Sequence, residues 1–426
     1  MILSYRIIST FLYPVLVLII FFRKLIGKED GIRFKEKIFI KNFNVQRNKK
    51  NKLIWFHAAS IGEFKSVLPI IKELNKNYSD IQFLITTVTL SSANLAKDEL
   101  KKFNNVTHRF FPLDIKFLIE EFLNLWKPSV IFLVDSEIWP NLIISSKKNK
   151  IPICVINARL TRKSFKRWML FPKSTRKIFL SIDLFLASNL ETKEFLNKLG
   201  LKNVILNGNI KLISKIDKER IDNPNEEALL KKRFWIAAST HEGEEAFCLK
   251  THLQIKQKYN EIITIIFPRH IERVNQIKKL SEGLGLKSQI LNKGEIFLDN
   301  KEIIIVNSFG ELQKYFYFAK SVFIGKSLIK KLQNEGGQNP IEAAKLGCKI
   351  YHGPYVYNFK EIYEIFDNEG ISIKIENPNE LNTFLLEDLK NSTKNKNDIS
   401  NLINILEEKV LKSTMKNINN LLSNEI

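Results

Sequence analysis

The chain has 426 residues, with 67 Lys and Arg against 45 Asp and Glu, a formal net charge of +22. That length exceeds one ordinary hydrophobic core and predicts two domains. The charge points to an anionic partner, such as a phosphorylated substrate or anionic lipid, with solvated surface as the bland alternative.

The lysines are dispersed and no recognition motif or arginine-rich arm occurs, which argues against nucleic acid. Cys154, Cys248 and Cys348 are far apart, and the six histidines form no HxH or HxxxH pair. Neither a disulfide framework nor a tightly bound metal is expected, and no cofactor.

In chain order, Ile7 to Phe22 is nearly all apolar. Sixteen helical residues reach roughly 24 Å, short of the ~30 Å hydrocarbon core. With Met1 to Tyr5 the segment spans or lies in the interface. No small-x-small site follows it, so an uncleaved anchor over 1–24 is expected rather than a signal peptide. Arg23, Lys24, Lys28, Arg33, Lys35 and Lys37 follow and place the body in the cytoplasm.

After a basic linker over 25–52, short apolar runs at 53–56, 82–86, 130–134, 152–156 and 182–187 alternate with helical patterns at 66–76, 91–102 and 115–125. A second series of apolar runs lies at 234–238, 262–267, 303–306, 321–324 and 348–351. Such alternation predicts parallel sheets covered on both faces. The expected architecture is α/β: two Rossmann-like domains, 25–211 and 212–426, facing a cleft. The polar stretch 212–230 serves as linker. The tail, about 376–426, reads as helix, with apolar spacing at 401–412.

Candidate chemistry sits where strands end. Leu53 to Phe56 stops at His57-Ala58-Ala59-Ser60-Ile61-Gly62-Glu63, a strand, turn and helix start. Glu63 would repel a phosphate there but suits taking a proton. Ser60-x-x-Glu63 is equally a capping box. Ser239-Thr240-His241-Glu242 opens a similar turn in the second series. Asp135 and Glu137 follow the run 130–134, where they could bind a metal, orient a hydroxyl or polarise a base, or form a solvated loop. Pro268-Arg269-His270 ends another strand, and such an Arg suits a phosphate or a surface salt bridge. Gly336 to Ala344 resembles a glycine-rich turn into a helix, with Glu342 placed for a ribose diol. Ser308-Phe309-Gly310-Glu311 is a further turn of this kind. Gly325-Lys326-Ser327 lacks the P-loop glycine, because residue 320 is Lys, and no GxGxxG occurs. ATPase and nicotinamide chemistry are disfavoured.

Seven ordered motifs together resemble the 3-deoxy-D-manno-octulosonic acid (Kdo) transferases of lipopolysaccharide synthesis. They are His57–Glu63, Ser136–Asn141, Asn157–Leu160, Gly208–Lys211, Ala237–Glu244, Pro268–His270 and Asn339–Glu342. The resemblance implies a GT-B glycosyltransferase, inverting and metal-independent. It would move Kdo from CMP-Kdo, bound by the second domain, to a tetraacylated, phosphorylated lipid A precursor, bound by the first, at the cytoplasmic face of the inner membrane. Glu63 would be the catalytic base, with Glu137 and Lys211 as transition-state stabilisers. Pro268, Arg269, Phe309, Gly310, Glu311, Asn339, Pro340, Ile341 and Glu342 would bind CMP. The chain departs from the family pattern at Asp135, shorter than the usual Glu, at Gln338 in place of His, and in a longer, more basic stretch 328–335. A GT-B transferase using another nucleotide sugar, or an inactive membrane-tethered nucleotide-sugar-binding scaffold, is the alternative.

Overall fold

The computed structural model describes residues 2–423 apart from 46, 49, 79, 217–220 and 391–393. Met1 of the expected anchor, 217–220 of the expected linker, and 391–393 and 424–426 of the tail lie outside the described residues. The chain forms two compact units, one from residues 1–215 and 407–426, the other from 216–406.

The first unit is built on a parallel seven-stranded sheet. Its strands are β1 (Lys52–His57), β2 (Ile81–Thr87), β3 (Val106–Phe110), β4 (Val130–Val134), β5 (Ile153–Ala158), β6 (Leu184–Ala187) and β7 (Val204–Leu206), in the order β3-β2-β1-β4-β5-β6-β7. Leu53, Ile54, Trp55 and Phe56 are all at most 1% exposed. Burial on both faces explains why β1 is continuously apolar rather than alternating. Helix Ile61–Asn77 carries the chain from β1 to β2 and buries Phe64, Val67, Ile70, Ile71 and Leu74, spaced to one helical face.

The second unit repeats the plan with β8 (Phe234–Thr240), β9 (Ile263–Pro268), β10 (Ser288–Leu291), β11 (Ile303–Val306), β12 (Ser321–Ile324), β13 (Lys349–His352) and β14 (Ser372–Lys374). Their order is β10-β11-β9-β8-β12-β13-β14, again all parallel. Each unit is thus an open, doubly wound α/β sheet of the GT-B kind, as expected. Strand order reverses between β1 and β4 in one unit and between β8 and β12 in the other.

Two expectations need correction. The stretch 25–52 is not a loose linker. It forms the 3-10 turns Arg33–Lys37 and Ile40–Asn42 and buries Phe34, Ile38 and Phe43 in the first unit. The tail was expected to stay with the second domain, yet helix Lys394–Leu422 joins the first unit from residue 407 onward. The cause is local. Thr414 Oγ1 accepts from Asn207 Nδ2 at 2.7 Å, Ser413 Oγ donates to Asn207 Oδ1 at 2.9 Å, and Ile418 and Leu422 are fully buried.

The amino-terminal helix runs Ile2–Leu25 and, by length and composition, is the one described helix able to cross a membrane. Its Ile20 packs with Phe34 and Ile38, and its Tyr13 and Leu16 lie against the core of the first unit.

Candidate active site

In open α/β sheets, ligands bind beyond the carboxyl ends of strands where strand order reverses. In the first unit that place lies between the ends of β1 and β4, and the expected carboxylates converge on it.

Ser60 caps helix Ile61–Asn77, accepting from Glu63 N at 3.4 Å. The Glu63 side chain folds back, and its two oxygens accept from Ala59 N (2.8 Å) and Ser60 Oγ (2.8 Å). The capping-box reading is therefore partly realised, with Ala59 rather than Ser60 supplying the backbone N–H. Those bonds favour ionisation, but burial outweighs them, and the charges of Asp135 and Glu137 add to it. The Glu63 pKa is pushed up to about 7. A carboxyl poised there accepts a proton near neutrality without being quenched at once. At Gly62 an added Cβ would meet no heavy atom within 4 Å, so space opens beside Glu63.

Glu137 is held from two sides. Trp139 Nε1 donates to its Oε2 at 2.9 Å, and His57 Nε2 lies 3.4 Å from the same oxygen. His57 is fully buried and stacks on Phe111 at 4.1 Å between centroids. Thr86 Oγ1 accepts from Trp55 Nε1 at 2.9 Å and lies 2.9 Å from His57 Nδ1. The same Nδ1 lies 3.2 Å from the Thr86 carbonyl, so Thr86 fixes the ring from both its hydroxyl and its backbone.

Lys211 Nζ donates to Asp135 Oδ2 at 2.9 Å, so the cation reaches the site paired. Its backbone turn is fixed by Asn209, which accepts from Lys211 N, and by buried Asn157, which accepts from Ile210 N. Asp135 and Asn157 follow or end β4 and β5 with φ of 64° and 57°. Left-handed backbone at a non-glycine residue costs about 1–3 kcal/mol and concentrates at functional sites.

The second unit shows the same signature at its own reversal. Ser239 and Lys326, at the ends of β8 and β12, have φ of 55° and 58°. Gly325 is required by close approach, since a Cβ there would lie 2.6 Å from Ser239 O and 2.7 Å from Thr240 Cα. Glu244, 1% exposed, accepts four backbone N–H groups, from His241, Lys326, Ser327 and Leu328, at 2.7–3.0 Å. It ties the two loops of the reversal together. Burial raises the Glu244 pKa while all four N–H groups pull it down. His241 is held below its ordinary range by burial, with the charges of Lys326, His270 and Arg269 adding to it. Lys326, His270 and Arg269 thus gather around His241 at this reversal.

The nucleotide-binding residues expected from sequence fall at this end of the sheet but differ in what they present. Arg269 is exposed, and its N–H is fixed by Thr240 O at 2.9 Å. Phe309 is 65% exposed beside Gly310, whose φ is 82°, and Glu311 pairs with Lys314 at 3.1 Å. Asn339 is exposed and accepts from Ile341 N at 3.0 Å, and Glu342 is half-buried. Pro268, Pro340 and Ile341 are buried, so their side chains shape the loops rather than reach a ligand. Sequence reasoning gave no role to His57, Trp139, Asn157, Glu244 or Lys326, although all lie inside stretches it quoted, Lys326 in the Gly325-Lys326-Ser327 run set aside as an incomplete P-loop.

Residues 33–214 match the family described as 3-Deoxy-D-manno-octulosonic-acid transferase (kdotransferase). The chain is 31% identical to the 3-deoxy-D-manno-octulosonic acid transferase of Rickettsia bellii, covering 95% of both chains. It is also 31% identical to that of Aquifex aeolicus, over 78% of this chain and 85% of the relative. Among solved structures, UDP-GlcNAc 2-epimerase from Neisseria meningitidis, bound to UDP-GlcNAc, superposes with a TM-score of 0.55 at 15% identity, covering 85% of this chain and all of that one.

Proposed function

Because the chain belongs to the 3-deoxy-D-manno-octulosonic acid transferase family, and is therefore a glycosyltransferase of lipopolysaccharide synthesis, we propose that it moves Kdo from CMP-Kdo to a tetraacylated, phosphorylated lipid A precursor by an inverting displacement. The first unit would hold the acceptor and the second the nucleotide sugar, at the cytoplasmic face of the inner membrane. The observation that carries this reading is Glu63, a carboxyl at the sheet reversal with a pKa near 7 and open space beside it.

An acceptor sugar hydroxyl is a weak nucleophile, so its proton must leave as the new bond forms. Glu63, ionised, takes that proton. Help of this kind is worth about 10²–10⁴-fold. The donor sugar becomes oxocarbenium-like, and the Glu137 carboxylate, fixed by Trp139 and His57, offsets that positive charge. Negative charge grows on the departing CMP. Lys211 counters it, with Asp135 fixing the position of its ammonium, and so do Arg269 and the backbone N–H groups of the Phe309–Glu311 and Asn339–Glu342 turns. Each preorganised donor of this sort is worth about 3 kcal/mol. No step requires a metal or a cofactor. The +22 charge and the apolar helix suit a phosphorylated lipid at an anionic surface.

The test is transfer of labelled Kdo from CMP-Kdo to lipid A precursor in membranes carrying the protein, with Glu63→Gln beside it. The expected result is transfer by the parent and loss by the variant, with CMP binding retained. A fully active variant overturns the base assignment, and activity with a UDP-sugar instead of CMP-Kdo overturns the donor.

A further inference from the structure

We propose that helix Ile2–Leu25 does not span the bilayer but lies in a single leaflet, and that the exposed tip Met169–Phe171 enters the same leaflet beside it, the two forming one monotopic surface for anionic lipid. The inference rests on the membrane association proposed above.

The helix is bound to the first unit along its length. Near its start, Tyr5 Oη donates to Asp114 Oδ2 at 3.0 Å and Arg6 Nε to Asn141 Oδ1 at 3.2 Å. In the middle, Tyr13 donates to the Ile38 carbonyl and packs edge-on to Phe117 at 5.2 Å. Near its end, Phe21 packs on Phe34 at 5.0 Å and Arg23 pairs with Glu29 at 2.7 Å. From Tyr5 to Arg23 the helix rises about 27 Å, nearly the whole ~30 Å hydrocarbon core. Were it to cross, Asp114, Asn141 and Glu29 would enter hydrocarbon with it, or every one of these contacts would break. Ionisable groups at that depth are costly and need local partners.

The opposite face of the helix supplies what an interfacial helix needs. Leu3, Ile7, Phe11, Val15, Leu18 and Phe22 recur at three- and four-residue steps, form one stripe, and are 48–81% exposed.

The second element is the pair of helices Arg162–Trp168 and Pro172–Phe179. Between them Leu170 and Phe171 are 73% and 55% exposed. On either side Lys163, Lys166, Arg167, Lys173, Arg176 and Lys177 are exposed, and no carboxylate occurs from 162 to 182. An apolar tip ringed by cations fits the headgroup boundary of an anionic leaflet. The two elements adjoin. Trp168 and Ile178 of the helix pair and Ile2 and Tyr5 of the amino-terminal helix line one 310 Å³ cavity. Trp139, which holds Glu137, lines it too. The surface therefore sets the active site beside the leaflet that carries a lipid acceptor.

The three native cysteines are buried, which permits single reporters in the full chain at Leu3→Cys, Leu18→Cys and Leu170→Cys. Each is labelled with an environment-sensitive dye and bound to vesicles of phosphatidylcholine and phosphatidylglycerol containing quencher lipids at set depths. We expect shallow quenching at all three sites and no reaction of Leu3→Cys with an impermeant thiol reagent trapped in the lumen. Luminal labelling at residue 3 shows a spanning helix and overturns the proposal. Quenching at 3 and 18 with residue 170 in water overturns the part played by the tip. Failure to bind vesicles at all, with transfer to detergent-dispersed acceptor intact, overturns membrane association itself while leaving the enzymatic reading standing. A Leu170→Glu/Phe171→Glu double variant should keep that detergent activity and lose roughly tenfold or more in vesicle partition; unchanged partition overturns the tip.

Discussion

Replacing Glu63 by Gln should remove activity and alter stability in a manner set by pH. In the folded chain Glu63 ionises near 7, against an ordinary value of 4.5. The unfolded chain releases this proton from about pH 4.5 upward, whereas the folded chain keeps it until about 7. Folding is therefore favoured by the extra proton at low pH, and that contribution is lost as pH rises through 7. The gap corresponds to roughly 3 kcal/mol, at about 1.4 kcal/mol per pH unit. Glutamine does not titrate, so the variant escapes the loss. The capping contacts with Ala59 N and Ser60 Oγ will weaken in the variant, but by an amount that does not change with pH. The stability difference, variant minus parent, should thus grow by about 2–3 kcal/mol between pH 5 and pH 8.5. Four of the five tryptophans (55, 126, 139 and 168) lie in the first unit, so urea unfolding in a Trp235→Phe background reports that unit alone. In parallel, kcat/KM of the parent should rise with pH and level off above about 7, while the variant loses about 10²–10⁴-fold. Parallel stability curves for the two proteins, or a parent rate limb near pH 4.5, would refute the reasoning.

Three other substitutions probe separate parts of the site. Gly62→Ala replaces a glycine in the first turn of helix Ile61–Asn77 and adds a Cβ into open space, so stability should rise by at most about 0.5 kcal/mol; if the acceptor sugar approaches there, its KM should rise several-fold with kcat little changed, read from initial rates. Glu244→Gln turns an amide NH2 toward backbone N–H groups that a carboxylate satisfied, and should cost roughly 2–3 kcal/mol in the second unit, read by urea titration of Trp235 fluorescence, together with weaker CMP binding by calorimetry. Lys211→Met should lower kcat by roughly 100-fold or more and leave CMP affinity within a few-fold, while Lys211→Arg, which can still pair with Asp135, should retain part of the rate.

The sheet interiors were legible in the sequence because strands buried on both faces are continuously apolar. The ten expected runs correspond to the ten interior strands. The four strands that sequence reading lacked, β3, β7, β10 and β14, are the four sheet edges. Val-Thr-His-Arg-Phe and Ser-Ile-Lys carry the polar residues of a half-solvated edge, which break the apolar run. At the site, carboxylates after strand ends marked the reversal in the first unit correctly. The approach of His57 to Glu137, and the tying of one loop to another by Glu244, were not legible, because those contacts join residues 80 or more positions apart. The left-handed backbone at Asp135, Asn157, Ser239 and Lys326 left no trace either, since none of these is glycine.

The return of residues 407–426 to the first unit has a consequence for how the chain is made. The second unit, 216–406, is a continuous segment and can complete its sheet as soon as it leaves the ribosome. The first unit cannot. Asn207 and Gly208 wait for Val410, Ser413 and Thr414, which emerge about 200 residues later. The half that carries Glu63 is thus begun first and finished after the second unit, and its Lys211 turn, three residues from Gly208, is sealed only once residues 410–414 have emerged.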